Sequence, residues 1–270
     1  MSSEVRDERL LVAPFWISAF LDLAPAEHER GVAFWQGVTG YGLSEPRGEH
    51  DEFATLVPPA GDDFLRVQRL GDGPSRIHLD LHVTDPVAAA DRAEGLGARV
   101  LDRPEHGYVV LSSPGGLVFC FVRHRASTRP RPTTWPGGHA SYVDQVCLDI
   151  PASVHERECA FWSAVTGLRH DADGEHDEFS RLRGEDRPAL QLLLQRLDEQ
   201  DGPVRAHLDL ATTDRVAETA RHVALGARAV HDFGRGWTLM AAPAGPAYCI
   251  TDRRPDLVPQ TGSHPPPERR

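Results

Sequence analysis

Arg76, His78, Asp80 and His82 alternate along the run RIHLDLHV, and Arg205, His207 and Asp209 alternate along RAHLDLAT. In an extended chain residues i, i+2 and i+4 share a face, so each run has a polar face of guanidinium, imidazole and carboxylate and an apolar face opposite. Imidazole beside carboxylate is the pairing of a general base whose tautomer the acid fixes. It is also the pairing of a buried hydrogen-bond network that only specifies a sheet. Same-face neighbours lie about 7 Å apart along the backbone, so spacing alone does not guarantee a bond between them. Arg66 with Gln68, and Gln195, are candidates to face the same cavity from neighbouring strands. The two runs also differ: His82 of the first becomes Ala211 in the second.

The hexapeptide GEHDEF occurs twice, giving His50, Asp51 and Glu52 and then His176, Asp177 and Glu178. Strand residues alternate faces, so His50 with Glu52, or His176 with Glu178, could converge at a domain rim while the aspartate between them could not. A solvated turn is the plainer reading. No serine sits in a G-x-S-x-G elbow, and no G-x-G-x-x-G or Walker loop follows a strand, so hydrolase triads and nucleotide sites have no support.

These residues sit in a chain that repeats itself. His28-Glu29-Arg30, Phe34-Trp35 and Val38-Thr39-Gly40 recur in order as His155-Glu156-Arg157, Phe161-Trp162 and Val165-Thr166-Gly167. HLDL starts at His78 and His207, and LGAR at Leu96 and Leu225. The separation drifts by only a few residues, as loop insertions cause; this is a tandem duplication. The expected division is a domain over residues 13–123, a Pro/Thr/Arg/Gly-rich linker over 124–140, a second domain over 141–252 and a disordered tail over 253–270. Each copy reads as βαβββ written twice. The first helix is closed by Gly40 or Gly167, the second is opened by Asp85-Pro86 or Asp214, and Ser153 with Glu156 has capping-box spacing. Phe34-Trp35 and Phe161-Trp162 read as helix core.

Composition removes whole classes of function. The 270 residues carry 40 acids against 29 bases, a net charge of −11, which opposes nucleic-acid binding. There is no lysine and no asparagine, which excludes lysine Schiff bases, pyridoxal phosphate attachment and N-glycosylation. Cys120, Cys147, Cys159 and Cys249 form no C-x-x-C pair and read as buried, reduced thiols. No apolar run suits a signal peptide or a membrane span, so a soluble, cytoplasmic protein without membrane partners is expected.

The duplicated module, with Phe-Trp ending the first helix, V-T-G after it, H-L-D-L on the fifth strand and P-G-G-x-x-F-C on the last, resembles the vicinal oxygen chelate superfamily, especially its glyoxalase-like and bleomycin-resistance-like domains. The resemblance covers roughly Phe15–Val122 and Tyr142–Thr251. It implies an α+β fold in which paired βαβββ modules form a cup-shaped mixed sheet in each of two tandem domains. In metal-dependent relatives up to four ligands point into the cup and bind substrate oxygen or dioxygen; non-enzymatic relatives sequester drugs there.

Carried over residue by residue, the resemblance keeps His78 and His207 and places Ser18 and Gln145 where a first-strand histidine is usual. It aligns Gln68 and Gln195 with a Glu, Gln or His position, and Val118 and Ala247 with the family carboxylate. No Asp or Glu lies between Ser112 and Val122 or between Met240 and Ile250, so a register slip does not restore that carboxylate. Catalytic Zn, Fe, Mn or Ni sites draw on about three His or carboxylate ligands. His78, His207, Gln68, Gln195 and Gln145 are therefore only weak metal candidates. The expectation is a protein that binds or transforms a small organic molecule, with His78, Asp80, His82, Gln68, Arg66, His207, Asp209, Gln195 and Gln145 as cup residues and no cofactor. The alternatives are a divalent-metal lyase, isomerase or ring-cleaving dioxygenase, and a non-catalytic interaction module. A monomer or weak homodimer is expected, because one chain already holds both module pairs.

Overall fold

A computed structural model describes residues 12–105, 107–172, 178–184, 188–234 and 236–255. The N-terminal half runs β1 (Trp16–Leu23), α1 (His28–Thr39), β2 (Gly42–Leu43), β3 (Phe53–Val57), β4 (Leu65–Arg69), β5 (Arg76–His82), α2 (Pro86–Gly95), β6 (Arg99–Asp102), β7 (Tyr108–Ser112) and β8 (Val118–Val122). Its eight strands form one sheet in the order β2-β3-β4-β1-β5-β8-β7-β6. Each module contributes four strands. The modules join where β1 runs antiparallel to β5, while β1 pairs parallel with β4 and β5 with β8.

After β9 (Thr133–Thr134), the C-terminal half repeats the plan. It comprises β10 (Ala140–Ile150), α3 (His155–Thr166), β11 (Arg169–Ala172), β12 (Phe179–Arg183), β13 (Gln191–Arg196), β14 (Arg205–Thr212), α4 (Arg215–Ala224), β15 (Arg228–Asp232), β16 (Trp237–Ala241) and β17 (Tyr248–Thr251). The order β11-β12-β13-β10-β14-β17-β16-β15 matches the first sheet strand for strand, with β9 added beside β10.

Local chemistry sets the helix ends. Gly40 and Gly167 both adopt φ 71°, a left-handed cap that glycine enters without steric cost. Asp85 Oδ1 accepts from the backbone N–H groups of Val87 and Ala88, and Asp214 Oδ1 from that of Ala217. Ser153 and Glu156 do not form the expected capping box. Residues Ala152–Val154 make a 3-10 turn, and Val154 sits at the N-cap without a side-chain bond.

The apolar faces of the central strands, including Leu79, Leu81, Leu208 and Leu210, are buried, and β5 and β14 approach each other at the boundary between the halves. Phe34, Trp35, Phe161 and Trp162 are core residues, as their repeat suggests, but they pack across the domain boundary. Trp35 meets Tyr248 at 5.4 Å between ring centroids, and Trp162 meets Phe119 at 5.2 Å. Each α1-type helix thus covers the other half's sheet, and one apolar cluster spans both halves. Truncating such an aromatic to alanine costs about 3–5 kcal/mol. Gly115 and Glu158 tighten the same boundary: the Gly115 N–H donates to Glu158, and a Cβ at Gly115 would stand 2.5 Å from Val204 Cγ2. The connecting segment is docked rather than free, since Thr133 Oγ1 donates to Thr39 O and Arg221 stacks on Trp135 at 3.5 Å.

Candidate functional site

In both halves the polar face of β5 or β14 forms the floor of the cup, as the alternation predicts. The strand register then adds residues that the repeat alone does not single out. Opposite His78 and His207 on the first strand stand Phe20 and Cys147; opposite Arg76 and Arg205 stand Asp22 and Asp149. His78 Nδ1 donates to Asp22 Oδ1 at 2.8 Å, and His207 Nδ1 to Asp149 Oδ2 at 2.9 Å. On the other side of each ring, Nε2 lies 3.7 Å from Asp80 Oδ1 and 3.3 Å from Asp209 Oδ1. Each histidine therefore lies between two carboxylates. Beside the expected Asp80 and Asp209, the first strand of each half adds a carboxylate to the floor, Asp22 and Asp149, which the sequence reading did not single out.

The two floors differ in access. In the N-terminal cup Phe20 stacks flat on His78, with centroids 4.5 Å apart and planes 9° apart. Arg66 closes over Phe20 and bridges Asp63 and Asp80. In the C-terminal cup the corresponding register positions are Cys147 and Leu193, and no ring covers the imidazole from that position. The His78 and Asp22 side chains are 9% and 1% exposed, against 17% for both His207 and Asp149.

A cavity of about 1060 Å³ lies over the C-terminal floor. Phe179, Leu193, Phe233, Trp237 and Leu239 give it apolar walls, and its lining extends to Arg76, Leu117 and Val118 of the N-terminal half. Phe233 and Trp237 stack at 5.1 Å, and Phe179 meets Trp237 edge-on at 5.8 Å. The polar lining includes Cys147, Asp149, His207, Asp209, Asp252 and Arg253.

Charge on these floors follows from the neighbours. Burial opposes a charged His207, but Cys147, Asp149 and Asp209 outweigh it and hold its pKa well above the ordinary value. Burial also works to raise the Asp209 pKa, yet His207, Arg253 and the Gln145 amide pull it below the usual carboxylate range. In the N-terminal cup, burial prevails at Asp80 despite His78 and Arg66, and its pKa is raised. His78 resembles His207: Asp22 and Asp80 overcome its burial and raise it. Burial pushes the Cys147 thiol up to about 12 and raises Cys249 too.

The remaining expected residues divide sharply. Gln145 Nε2 donates to Asp209 Oδ2 at 2.6 Å, and Gln195 Oε1 accepts from Cys147 Sγ at 3.6 Å, so both belong to the C-terminal floor. Gln68 is half-buried beside Asp22 in the strand register. His82 shares the predicted face but is fully buried, bonded to Ser18 Oγ at 2.7 Å and to the His124 carbonyl at 2.9 Å. It is part of the sheet's internal wiring. His50 and Glu52 form an exposed turn in which Glu52 Oε2 accepts the His50 N–H at 2.8 Å. His176 lies outside the described residues; Glu178 is exposed. Arg253, at the start of the sequence-defined tail, bonds Asp144 at 2.6 Å and approaches Asp209 at 3.7 Å. Cys120, Cys147 and Cys249 also face the cups, unforeseen from sequence. Their alternation with Asp80 or with His207 and Asp209 across neighbouring strands is the signal that would have revealed them.

Comparison with known proteins accords with this architecture. The family model described as a glyoxalase-like domain matches residues 18–122 and again 145–251. No curated protein sequence matches the chain. Among solved structures, homoprotocatechuate 2,3-dioxygenase from Brevibacterium fuscum, in complex with 3,4-dihydroxyphenylacetate, superposes with a TM-score of 0.61 at 16% identity, covering 93% of this chain and 86% of its own. The Mn(II)-bound glyoxalase from Novosphingobium aromaticivorans gives 0.57 at 19% identity, covering 89% and 82%. A mutant 4-hydroxymandelate synthase from Streptomyces coelicolor gives 0.58 at 15% identity, covering 90% and 94%. At these identities the likeness is one of fold.

Proposed function

Since the chain belongs to the glyoxalase-like domain family, which both of its halves match, we propose that it binds a small organic molecule in the C-terminal cup and that the N-terminal cup serves as its structural counterpart. The observation that carries this reading is the cavity of about 1060 Å³ over His207, set against the floor that Phe20 and Arg66 cover in the other half. The volume lies just above the range typical of small-molecule pockets, about 300–1,000 Å³. Phe179, Phe233 and Trp237 suit an aromatic or otherwise planar body, since offset and edge-on ring contacts each add about 0.5–1.5 kcal/mol beyond area burial. The floor suits an oxygen-bearing end: it concentrates a cationic ring, two carboxylates and an arginine in one partly enclosed place. The pairing of α1 with the C-terminal sheet and of α3 with the N-terminal sheet satisfies both module faces within one chain, which favours a monomer. Among the described residues no helix is long and apolar enough to cross a membrane.

The metal implied by the fold family does not fit the positions where that family carries its ligands. Gln145 and Gln195 are neutral amides that bring no charge to a divalent ion, the Gln195 oxygen already accepts from Cys147, and Ala247 has no donor atom. His207 remains as one ligand of an expected three or more. No step is therefore routed through a metal at those positions.

A thermal-shift and calorimetric screen of small planar aromatic acids, phenols and apolar controls tests the reading. Hits are expected to bind one per chain and to weaken about tenfold or more in His207→Ala. The reading fails if no compound binds, or if hits persist unchanged in His207→Ala and Trp237→Ala.

A further inference from the structure

Two arginines show how this chain uses one edge of a guanidinium. Arg221 directs Nε and Nη2 at Glu218, at 2.9 and 2.7 Å, and Arg253 directs the same two nitrogens at Asp144, at 3.2 and 2.6 Å. The two N–H groups of this edge point the same way, so together they hold both oxygens of one carboxylate. Arg129 carries the same edge and spends it on nothing: its Nε and Nη2 are both buried and without a hydrogen-bond partner. Its guanidinium lies 4.3 Å over the Tyr142 ring, and the hydroxyl of Tyr142, a residue 3% exposed, is buried without a partner as well. A buried cationic edge and a buried hydroxyl left unpaired are costly, and they mark a place where an anion would be favoured.

The backbone around Arg129 is fixed. Asp62 Oδ2 accepts the Ser127 and Thr128 N–H groups, both at 2.7 Å, and the Asp62 N–H donates to the Thr128 carbonyl at 2.7 Å. A Cβ at Gly61 would stand 2.8 Å from Pro130 N, so the connecting segment is packed tightly on the N-terminal half. Tyr41, after α1, and Tyr142, near the start of β10, both feel the Arg129 charge, which opposes the rise that burial gives their pKa values. Neither phenol supplies a counter-charge. The carboxylates of this region are engaged elsewhere: Asp62 with the connecting segment, Asp63 with Arg66, and Asp144 with Arg253.

We propose that the Nε–Nη2 edge of Arg129 and the Tyr142 hydroxyl form an anion site that takes the carboxylate of a small organic acid, where the connecting segment meets the two halves. All three groups are donors, and one carboxylate can satisfy them together: the guanidinium edge takes its two oxygens and the hydroxyl a remaining lone pair. Arg129 is only half-buried, which leaves a way in from solvent. Neither residue lines the cavity over the C-terminal floor, so the site is separate from the cup and does not rest on the reading of it. The connecting segment has no second copy, so one site per chain follows.

The full chain is titrated with isotope-labelled acetate, and with chloride and phosphate at matched ionic strength, and followed by nuclear magnetic resonance of the acetate and by thermal unfolding. Saturable binding of one acetate per chain is expected, with an unfolding temperature that rises in acetate more than in chloride or phosphate. Arg129→Gln should abolish both effects, and Tyr142→Phe should weaken acetate by about tenfold. His207→Ala should leave both unchanged. Acetate that does not bind, or that binds Arg129→Gln as it binds the parent, overturns the site. Equal shifts from chloride or phosphate overturn its assignment to carboxylates. A purely structural stacking role for Arg129 predicts the same loss of unfolding temperature in Arg129→Gln with and without acetate, and that result also overturns the site. Circular dichroism separates a lost site from a lost fold; if Arg129→Gln does not fold, Tyr142→Phe decides, weakened acetate supporting the site and unchanged acetate contradicting it. Acetate binding lost in His207→Ala but kept in Arg129→Gln would place the acid in the cup, so this site would fall while the cup reading stands.

Discussion

The two halves of the chain share a fold, a strand order and an acid-flanked histidine, yet one floor is covered and the other carries a large cavity. Two register positions account for the difference. Phe20 and Arg66 in the first half are replaced by Cys147 and Leu193 in the second, exchanging a bulky ring and a guanidinium for a small thiol and an aliphatic chain. The catalytic-looking motif HLDL is identical in both halves. What separates a structural cup from a candidate binding cup lies on the strands facing that motif. A duplicated polar motif is thus compatible with two different roles, and its neighbours decide which.

Several substitutions would sharpen or break this contrast. The largest expected effect is on stability. His78→Ala leaves Asp22 and Asp80 as buried carboxylates without their shared ring and should destabilise the protein by about 3–5 kcal/mol. His207→Ala, where Asp149 reaches solvent and Asp209 keeps Arg253 and Gln145, should cost about 1–2 kcal/mol. Urea unfolding of both variants measures the gap, and equal losses would show that the two floors are equivalent.

A pH effect of about 3 kcal/mol is expected from His82, whose folded pKa is lowered to about 4, first by desolvation. The folded ring stays neutral while the unfolded ring takes up a proton near its ordinary value of 6.5. Between those two values the unfolded state binds more protons, so this stability is present above 6.5 and is lost as pH falls towards 4. Unfolding of His82→Asn across that window should show a pH slope shallower by this amount; an unchanged slope would show that His82 titrates normally.

Transplanting the N-terminal cover should remove binding. Cys147→Phe with Leu193→Arg is expected to lower affinity for screening hits at least about 100-fold, close to 3 kcal/mol, while far-ultraviolet circular dichroism stays the same. Retained binding would mean that the hits sit elsewhere. Trp237→Ala, on the wall rather than the floor, should weaken aromatic hits by about tenfold and apolar non-aromatic controls less. Equal losses for both kinds would remove the ring-stacking argument.

Much of this architecture was legible in the sequence because duplication prints every element twice. The polar face of β5, the glycine caps at Gly40 and Gly167 and the Asp85 and Asp214 N-caps all follow from residue type and spacing. Asp22 and Asp149 were not legible, because whether they reach a histidine depends on the β1–β5 and β10–β14 registers. Cys120 and Cys249 escaped for the same reason: an apolar run with one thiol reads as core until its neighbouring strand is known. His82 misled in the opposite direction. It keeps the right alternation, but Ser18 and the His124 carbonyl consume both ring nitrogens. Arg253 follows the last strand of the fold closely, and only the folded chain shows it pairing with Asp144.

The central claim, that only the C-terminal cup receives a ligand, is tested most directly by soaking crystals of the full chain in a library of small aromatic fragments. The account predicts fragment density between Trp237, Phe179 and His207, with Phe20 still lying on His78 in the same crystals. Density between Phe20 and His78, or fragments bound only outside both cups, would contradict it.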